Sequence, residues 1–279
     1  MKILITGARG QLGHALQAAL SEHELIALDH HQLDITHLET VRAVVQMYRP
    51  DLVLNAAAFN AVNIAESNPD AAYRGNALGP RNLAVVSAAL NISLLHVSTD
   101  YVFAGTSSRP YHEFDTPRPR SVYGASKLAG EEAVRALTPR HYIVRTAWLY
   151  HTIGRNFPKT ICGQAQEKSE VHVVNDQFGS PTYAPHLAAA IARLILTDAY
   201  GTYHFAGQGG TNWFELTRVL YRLLGIRTPV RAITTAEFPQ PVERPRYSVL
   251  TTLQDPQILL PPWEEGVAEY VKRIQEQKK

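Results

Sequence analysis

Short, continuous apolar runs alternate with longer amphipathic stretches through the first half of the chain. Ile3-Leu4-Ile5, Glu24 to Leu28, Leu52-Val53-Leu54, Leu94 to Val97 and Tyr142-Ile143-Val144 are such runs. Continuous apolar segments of this length predict strands buried on both faces. Between them lie stretches of helical period: one opening near Gln11, one ending at Tyr48, one from Pro69 to Leu90, and one from about Val122 to Leu137. Strand and helix in strict alternation predict an α/β fold with a doubly wound parallel sheet. Beyond Tyr150 the alternation loosens. Helices are expected over Gly154 to Gln166, Leu187 to Leu196 and Phe214 to Leu224, and from about Trp263 into a charged tail. A strand is expected at Val171 to Val174, and residues 239–246 are rich in proline and turn residues.

Composition narrows the classes. The chain has 279 residues, of which 45% are hydrophobic and 19% charged, so it can bury a full core. A net charge of +2 is too small to argue for nucleic acid or a membrane surface as partner. Cys162 is the single cysteine and cannot form an internal disulfide, which fits a reducing compartment. The opening apolar run is too short for a signal peptide, and no stretch is long enough to cross a bilayer. A cytoplasmic protein is the resulting expectation.

The first chemistry lies directly after the first strand. Gly7, Gly10 and Gly13 follow Thr6 with G-x-x-G-x-x-G spacing, and a helix opens behind them. Strand, glycine loop and helix in that order form a variant of the dinucleotide-binding fingerprint, so the sheet is expected to be Rossmann-type. Asp29 ends the second strand, where a carboxylate meets ribose hydroxyls and favours NADH. Arg9, within the loop, suits the 2′-phosphate of NADPH, so both cofactors are expected. Asp34 is placed to reach the adenine region. The small residues Asn55 to Ala57 let a backbone pass close to a cofactor, and Ala58-Phe59-Asn60 are expected beside the nicotinamide ribose. Asn76, in the segment from Pro69 to Leu90, is a further cofactor candidate. The expected division is 1–150 for the cofactor domain, with later segments such as 171–200 returning to it, and 151–279 mainly as a smaller substrate-binding lobe.

The second chemistry lies at the end of the fourth strand. Ser98-Thr99-Asp100 is followed by a long loop rich in Gly, Ser and Pro, then by Tyr123-Gly124-Ala125-Ser126-Lys127. Tyr123 and Lys127 are one helical turn apart on one face. A neighbouring ammonium lowers a phenol's pKa. A hydroxyl, a tuned phenol and a lysine together can polarise a carbonyl and protonate it while a hydride arrives. No G-x-S-x-G elbow and no Cys/His spacing suited to zinc competes with this reading.

Together these segments resemble the extended short-chain dehydrogenase/reductases, and within them the dTDP-4-dehydrorhamnose reductase family. The resemblance rests on Thr6 to Gly13, Asn55 to Glu66, Ser98 to Phe103, Val122 to Glu131, Arg145 to Tyr150, Asp176 to Thr182 and Gly201 to His204. It implies reduction at C4 of a dTDP-sugar by NADPH or NADH in a monomer or homodimer, with Thr99, Tyr123 and Lys127 catalytic and Tyr123 and Lys127 also at the cofactor. It places Gly10, Gln11, Leu12, Asp29, Asp34, Ile35, Ala58, Phe59 and Asn60 at the cofactor, and Thr99, Asp100, Trp148 and Arg244 at the substrate, with Arg244 toward its diphosphate. Three positions depart from the family pattern: Asn63 replaces a carboxylate, Glu243 replaces an arginine, and Ala15 replaces a glutamate that helps hold a magnesium ion in some members. Since alanine ligates nothing, no metal is expected. Other fates of the fold are a sister nucleotide-sugar ketoreductase or epimerase, or a non-catalytic NADP-binding regulatory subunit like methionine adenosyltransferase β. A dehydratase would need an acid where Tyr101 stands, and the intact trio favours catalysis.

Overall fold

In the computed structural model, which describes residues 1–254 and 257–277, the apolar runs become the strands of one sheet. In chain order the first half comprises β1 Lys2–Thr6, α1 Gln11–Ala19, β2 Glu24–Leu28, α2 Leu38–Tyr48, β3 Leu52–Asn55, α3 Val62–Ser67, α4 Pro69–Tyr73, α5 Gly79–Ala89, β4 Ser93–Thr99, α6 Val122–Leu137 and β5 His141–Thr146. The second half adds β6 Leu149–Tyr150, α7 Phe157–Glu167, β7 Val171–Val174, β8 Phe178–Gly179, β9 Thr182–Tyr183, α8 Ala184–Leu194, β10 Gly201–His204, β11 Thr211–Asn212, α9 Trp213–Leu224, β12 Val230–Ile233 and α10 Trp263–Glu276.

The main sheet has six parallel strands in the order β2-β1-β3-β4-β5-β10. Ile3, Leu54 and Val144 face one apolar layer with Leu16 of α1 and Leu187 and Ile191 of α8. Leu4, Val53 and Ile143 face the other, with Val41 and Val45 of α2 and Leu83 of α5. The order in which strands are added reverses between β1 and β3, with β2 on one side and β3, β4 and β5 on the other, so the connections at their carboxyl ends part around a crevice, the place where open α/β sheets bind ligands. A third core under α7, α9 and α10 joins Ile161, Leu220, Trp263 and Tyr270.

Several expectations shift. The segment from Pro69 to Leu90 is not one regular helix: a π-helical turn at Arg74–Leu78 separates α4 from α5. The helix expected from Gly154 begins at Phe157, because Asn156 accepts the Lys159 amide and caps it. Of residues 171–200, α8 packs in the large sheet's core, whereas Val171–Val174 pairs with β12. The sixth strand, β10, has no long apolar run and is recruited by pairing with β5. The charged tail at 278–279 lies outside the described residues.

Candidate active site

The crevice is built from the β1–α1 turn. Gly7 has φ +69, and a Cβ there would lie 2.7 Å from the Ala57 amide nitrogen, so the turn rests directly on the β3 extension. A Cβ at Gly13 would overlap the Gly7 carbonyl oxygen, so the third glycine is what lets α1 pack on its own turn. Gly13→Ala is expected to cost about 1–3 kcal/mol, the range for overpacking. Thermal unfolding checks this, and an unshifted midpoint would show that the turn relaxes freely. The N-terminus of α1 has no side-chain cap and no acid in its first turn, which leaves its amides open to an anion. Beside it runs a cavity of about 530 Å³. The glycine cradle, the open helix end and the cavity together fit an extended dinucleotide.

Most of the cofactor candidates line this cavity: Gly7, Arg9, Gly10, Asp29, Asp34, Ile35, Ala58, Phe59 and Asn60. The structure adds His30, Arg74 and Gly75. His30 follows Asp29 directly, and the turn after β2 brings it to the cavity wall. Six candidates stand outside this lining: Tyr123 and Lys127 on α6, and four others. Leu12 is buried in the core, so it offers only backbone. Gly13 serves packing. Gln11 accepts a hydrogen bond from Asn156 Nδ2 at 2.9 Å and so turns toward the second lobe. Asn76 is fully buried; it accepts the Phe59 amide at 2.8 Å and donates to the Phe59 carbonyl and to Ser126 Oγ. It therefore fixes the cavity wall rather than facing the ligand.

Asp29 is committed on both oxygens. Oδ1 accepts the amides of His31 and Gln32 at 2.9 and 3.1 Å, and Oδ2 pairs with Arg9 Nε at 2.8 Å. Burial alone would raise its pKa; the Gln32 amide, Arg9 and the His31 amide outweigh that and hold the carboxyl below its usual range. The two residues read from sequence as rivals at the ribose 2′ position thus neutralise each other.

At the end of β4, Thr99 Oγ1 donates to Asp100 Oδ1 at 3.0 Å, accepts the Tyr101 amide at 3.2 Å and lies beside the Tyr123 hydroxyl. Ser121 caps α6 by accepting the Gly124 amide, which seats Tyr123 in the first turn. The Tyr123 ring packs with Phe59, Val62 and Tyr101, so the cavity wall and the phenol share one apolar cluster. Lys127 is buried and donates from Nζ to the Val97 carbonyl at 2.7 Å. Burial pulls Lys127 down to about 8, against the opposing pull of Glu131. The expected lowering of Tyr123 by Lys127 does not occur in this geometry. Burial raises the phenol, Thr99 opposes this, and the ammonium is turned to Val97. Tyr123 consequently stays protonated, the form a proton donor requires.

Asp100, expected at the sugar, is buried instead. Its oxygens accept Thr99 Oγ1 and Ser248 Oγ, the latter at 2.6 Å, and burial pushes it up to about 6. It orients the Thr99 hydroxyl from behind. Trp148 adopts a left-handed backbone, φ 47, and stacks on Trp213 with ring centroids 3.4 Å apart. Left-handed backbone in a bulky residue is strained and clusters at functional sites. Arg244 comes from the turn-rich stretch to Tyr101, donating to its hydroxyl at 2.8 Å. Glu243 pairs with Arg120 at 2.7 Å, so its charge is met within the loop. Ser248 and Trp213 carry no local signal; only long-range folding brings them here.

Comparison with known proteins identifies relatives along nearly the whole chain. Residues 1–276 match the family described as RmlD substrate binding domain. A dTDP-4-dehydrorhamnose reductase of Streptomyces griseus is 43% identical over 256 residues, 88% of this chain and 84% of that one. A dTDP-4-keto-6-deoxy-D-glucose reductase of Streptomyces niveus is 42% identical over 251 residues, 88% of this chain and 87% of its own. The crystal structure of a dTDP-4-dehydrorhamnose reductase from Bacillus anthracis in complex with NADP has a TM-score of 0.95 at 40% identity, covering 98% of this chain and 99% of that chain.

Proposed function

The chain belongs to the RmlD substrate-binding-domain family, and from that premise we propose that it reduces C4 of dTDP-4-dehydro-6-deoxy-L-mannose with NADPH or NADH to give dTDP-L-rhamnose. The observation that carries this reading is the meeting of Thr99 and Tyr123 on a wall shared, through Phe59, with a dinucleotide-sized cavity. When bound, the nicotinamide supplies a hydride. Tyr123 hydrogen-bonds the ketone oxygen and gives it the proton that completes the alcohol, while Thr99, whose own proton goes to Asp100, positions the phenol. Asp100 holds Thr99 from behind. Lys127 keeps positive charge beneath the site and offers donors to the ribose. Gly7, Gly10 and the α1 amides take the pyrophosphate, while Arg9, Asp29, Asp34, Ile35 and Arg74 enclose the adenosine half. Trp148 and Arg244 stand on the sugar-nucleotide side. The test is cofactor oxidation by the purified protein given this ketosugar. Absence of turnover beside an active control enzyme would refute the reading, and turnover only with the D-gluco ketosugar would reassign the substrate.

Two further outcomes follow from the charges. As pH rises through about 8, Lys127 loses its proton, so kcat/KM is expected to fall along a basic limb there. Lys127→Met should remove that limb and weaken cofactor binding; an unchanged profile would make Lys127 a bystander. At the 2′ position Arg9 is exposed, and an exposed ion pair is worth about 0–1 kcal/mol, less than tenfold in affinity. Both cofactors should therefore work. Arg9→Ala should lower kcat/KM for NADPH and spare NADH, because it leaves Asp29 facing the phosphate unpaired. Equal losses for both cofactors would place Arg9 at the pyrophosphate instead.

A further inference from the structure

Arg244 is held by an unusual set of partners. Its Nη1 donates to the Tyr101 hydroxyl at 2.8 Å and its Nη2 to Asn63 Oδ1 at 2.9 Å. Asn63 is itself oriented, since its Nδ2 donates to Gln240 Oε1 at 3.2 Å. The guanidinium also lies 6.0 Å from the centre of the Tyr101 ring. Every one of these partners is neutral. The adjacent carboxylate, Glu243, is taken by Arg120, and among the described residues no carboxylate pairs with Arg244. Tyr101 in turn meets Tyr123 edge to face, ring centroids 5.5 Å apart, so this cation sits one ring away from the proton donor.

We propose that Asn63 and Tyr101 form a charge-neutral cradle that orients Arg244 while leaving its positive charge uncompensated, and that Asn63 thereby sets the affinity for an anionic, diphosphate-bearing substrate. The inference rests on the nucleotide-sugar reading above. A guanidinium already held in place loses little freedom on binding, and its fork of donors matches paired phosphate oxygens. A carboxylate at position 63 would hold the same nitrogen equally well but would cancel the charge, and an arriving diphosphate would then have to displace it. The amide supplies the orientation without that competition. This accounts for Asn63, which reads in the sequence as a departure from the family's carboxylate and in the structure as the acceptor that keeps Arg244 cationic and aimed.

The test is titration of dTDP itself against the wild-type protein, Asn63→Asp and Tyr101→Phe, by calorimetry at several salt concentrations. Asn63→Asp differs by a single charge at nearly constant shape. Hydrogen bonds to charged groups are worth about 1.5 kcal/mol or more, so it should weaken dTDP roughly tenfold and flatten the salt dependence. NADPH affinity, read in the same preparations, should not move, which separates this effect from loss of fold. Tyr101→Phe removes one tether and changes no charge, so it should weaken dTDP less than Asn63→Asp does and leave the salt dependence intact, since the guanidinium keeps its charge and its bond to Asn63. Unchanged or tighter dTDP binding by Asn63→Asp overturns the inference alone. If Asn63→Asp does not fold, a change in salt dependence in Tyr101→Phe overturns it. Failure of the wild-type protein to bind dTDP overturns both the inference and the reading beneath it.

Discussion

Replacement of Tyr123 by phenylalanine is expected to lower kcat by about 10²–10⁴-fold, the usual effect of losing a positioned general acid. The ring stays: its packing with Phe59, Val62 and Tyr101 is apolar, so the fold and the cavity wall survive. What disappears is the hydroxyl beside Thr99, and with it the proton placed for the reduced oxygen. Burial raises this phenol's pKa, so the wild-type group stays protonated across the neutral range. An alkoxide is basic enough to take that proton, since its conjugate acid resembles water with a pKa of about 15.7. Single-turnover rates measured beside cofactor binding make the check: kcat should collapse while cofactor affinity holds. A variant within a few-fold of wild type would show that Thr99 or solvent delivers the proton.

The largest effect on stability is expected from Arg145→Met. Arg145 is 2% exposed and grips Glu131, itself fully buried, through Nε at 2.9 Å and Nη2 at 2.6 Å. Ser98 Oγ adds a 2.5 Å bond to the same carboxylate, and the Phe103 ring lies 5.1 Å from the guanidinium carbon. Removing the guanidinium leaves this buried charge only the longer 3.5 Å contact with the exposed Arg135, a loss of about 3–5 kcal/mol. The double variant Glu131→Gln/Arg145→Met should recover most of it, because it removes both charges. The pH dependence has a definite sign. Burial alone would raise the Glu131 carboxyl, but Arg145 and Ser98 hold it below its ordinary 4.5. Its contribution is therefore present above about 4.5 and is lost as pH falls through the lower folded value. Without Arg145, burial prevails and the carboxyl should protonate more readily, so the gap between variant and wild type should narrow toward acid. Urea unfolding at neutral and mildly acid pH measures this. A gap that does not change with pH would mean that packing against Phe103, not the ion pair, makes the contribution.

The strands of the main sheet up to β5 were legible because each is a short apolar run, buried on both faces except in the half-buried edge strand β2, a property written within a few residues. The same holds for the glycine turn, whose spacing is dictated by contacts no farther than β3. Tyr123 and Lys127 were legible as a pair because a helical turn brings residues four apart to one face. What that pair does was not legible, since the phenol's pKa depends on what surrounds it. Helix α6 alone would set an ammonium beside a phenol; the packing of α6 on β4 buries both and turns the lysine to Val97. Asp100 shows the same limit. In the chain it adjoins Thr99 and reads as a substrate contact, but Ser248, distant in sequence, closes over it and makes it a support for Thr99. Asn76 and Gln11 were placed at the right locality with the wrong partners, for a side chain's nearest donor or acceptor comes from another segment. β10 lacked any local signature and was selected by the free edge of β5. Periodicity and spacing act over one turn or one strand, so the sequence alone determined the fold class, the glycine turn of the crevice and the pairing of Tyr123 with Lys127 on one helix face. Burial, charge compensation and the pairing of Arg244 with Asn63 and Tyr101 act between segments far apart in the chain, and only the folded structure decided them.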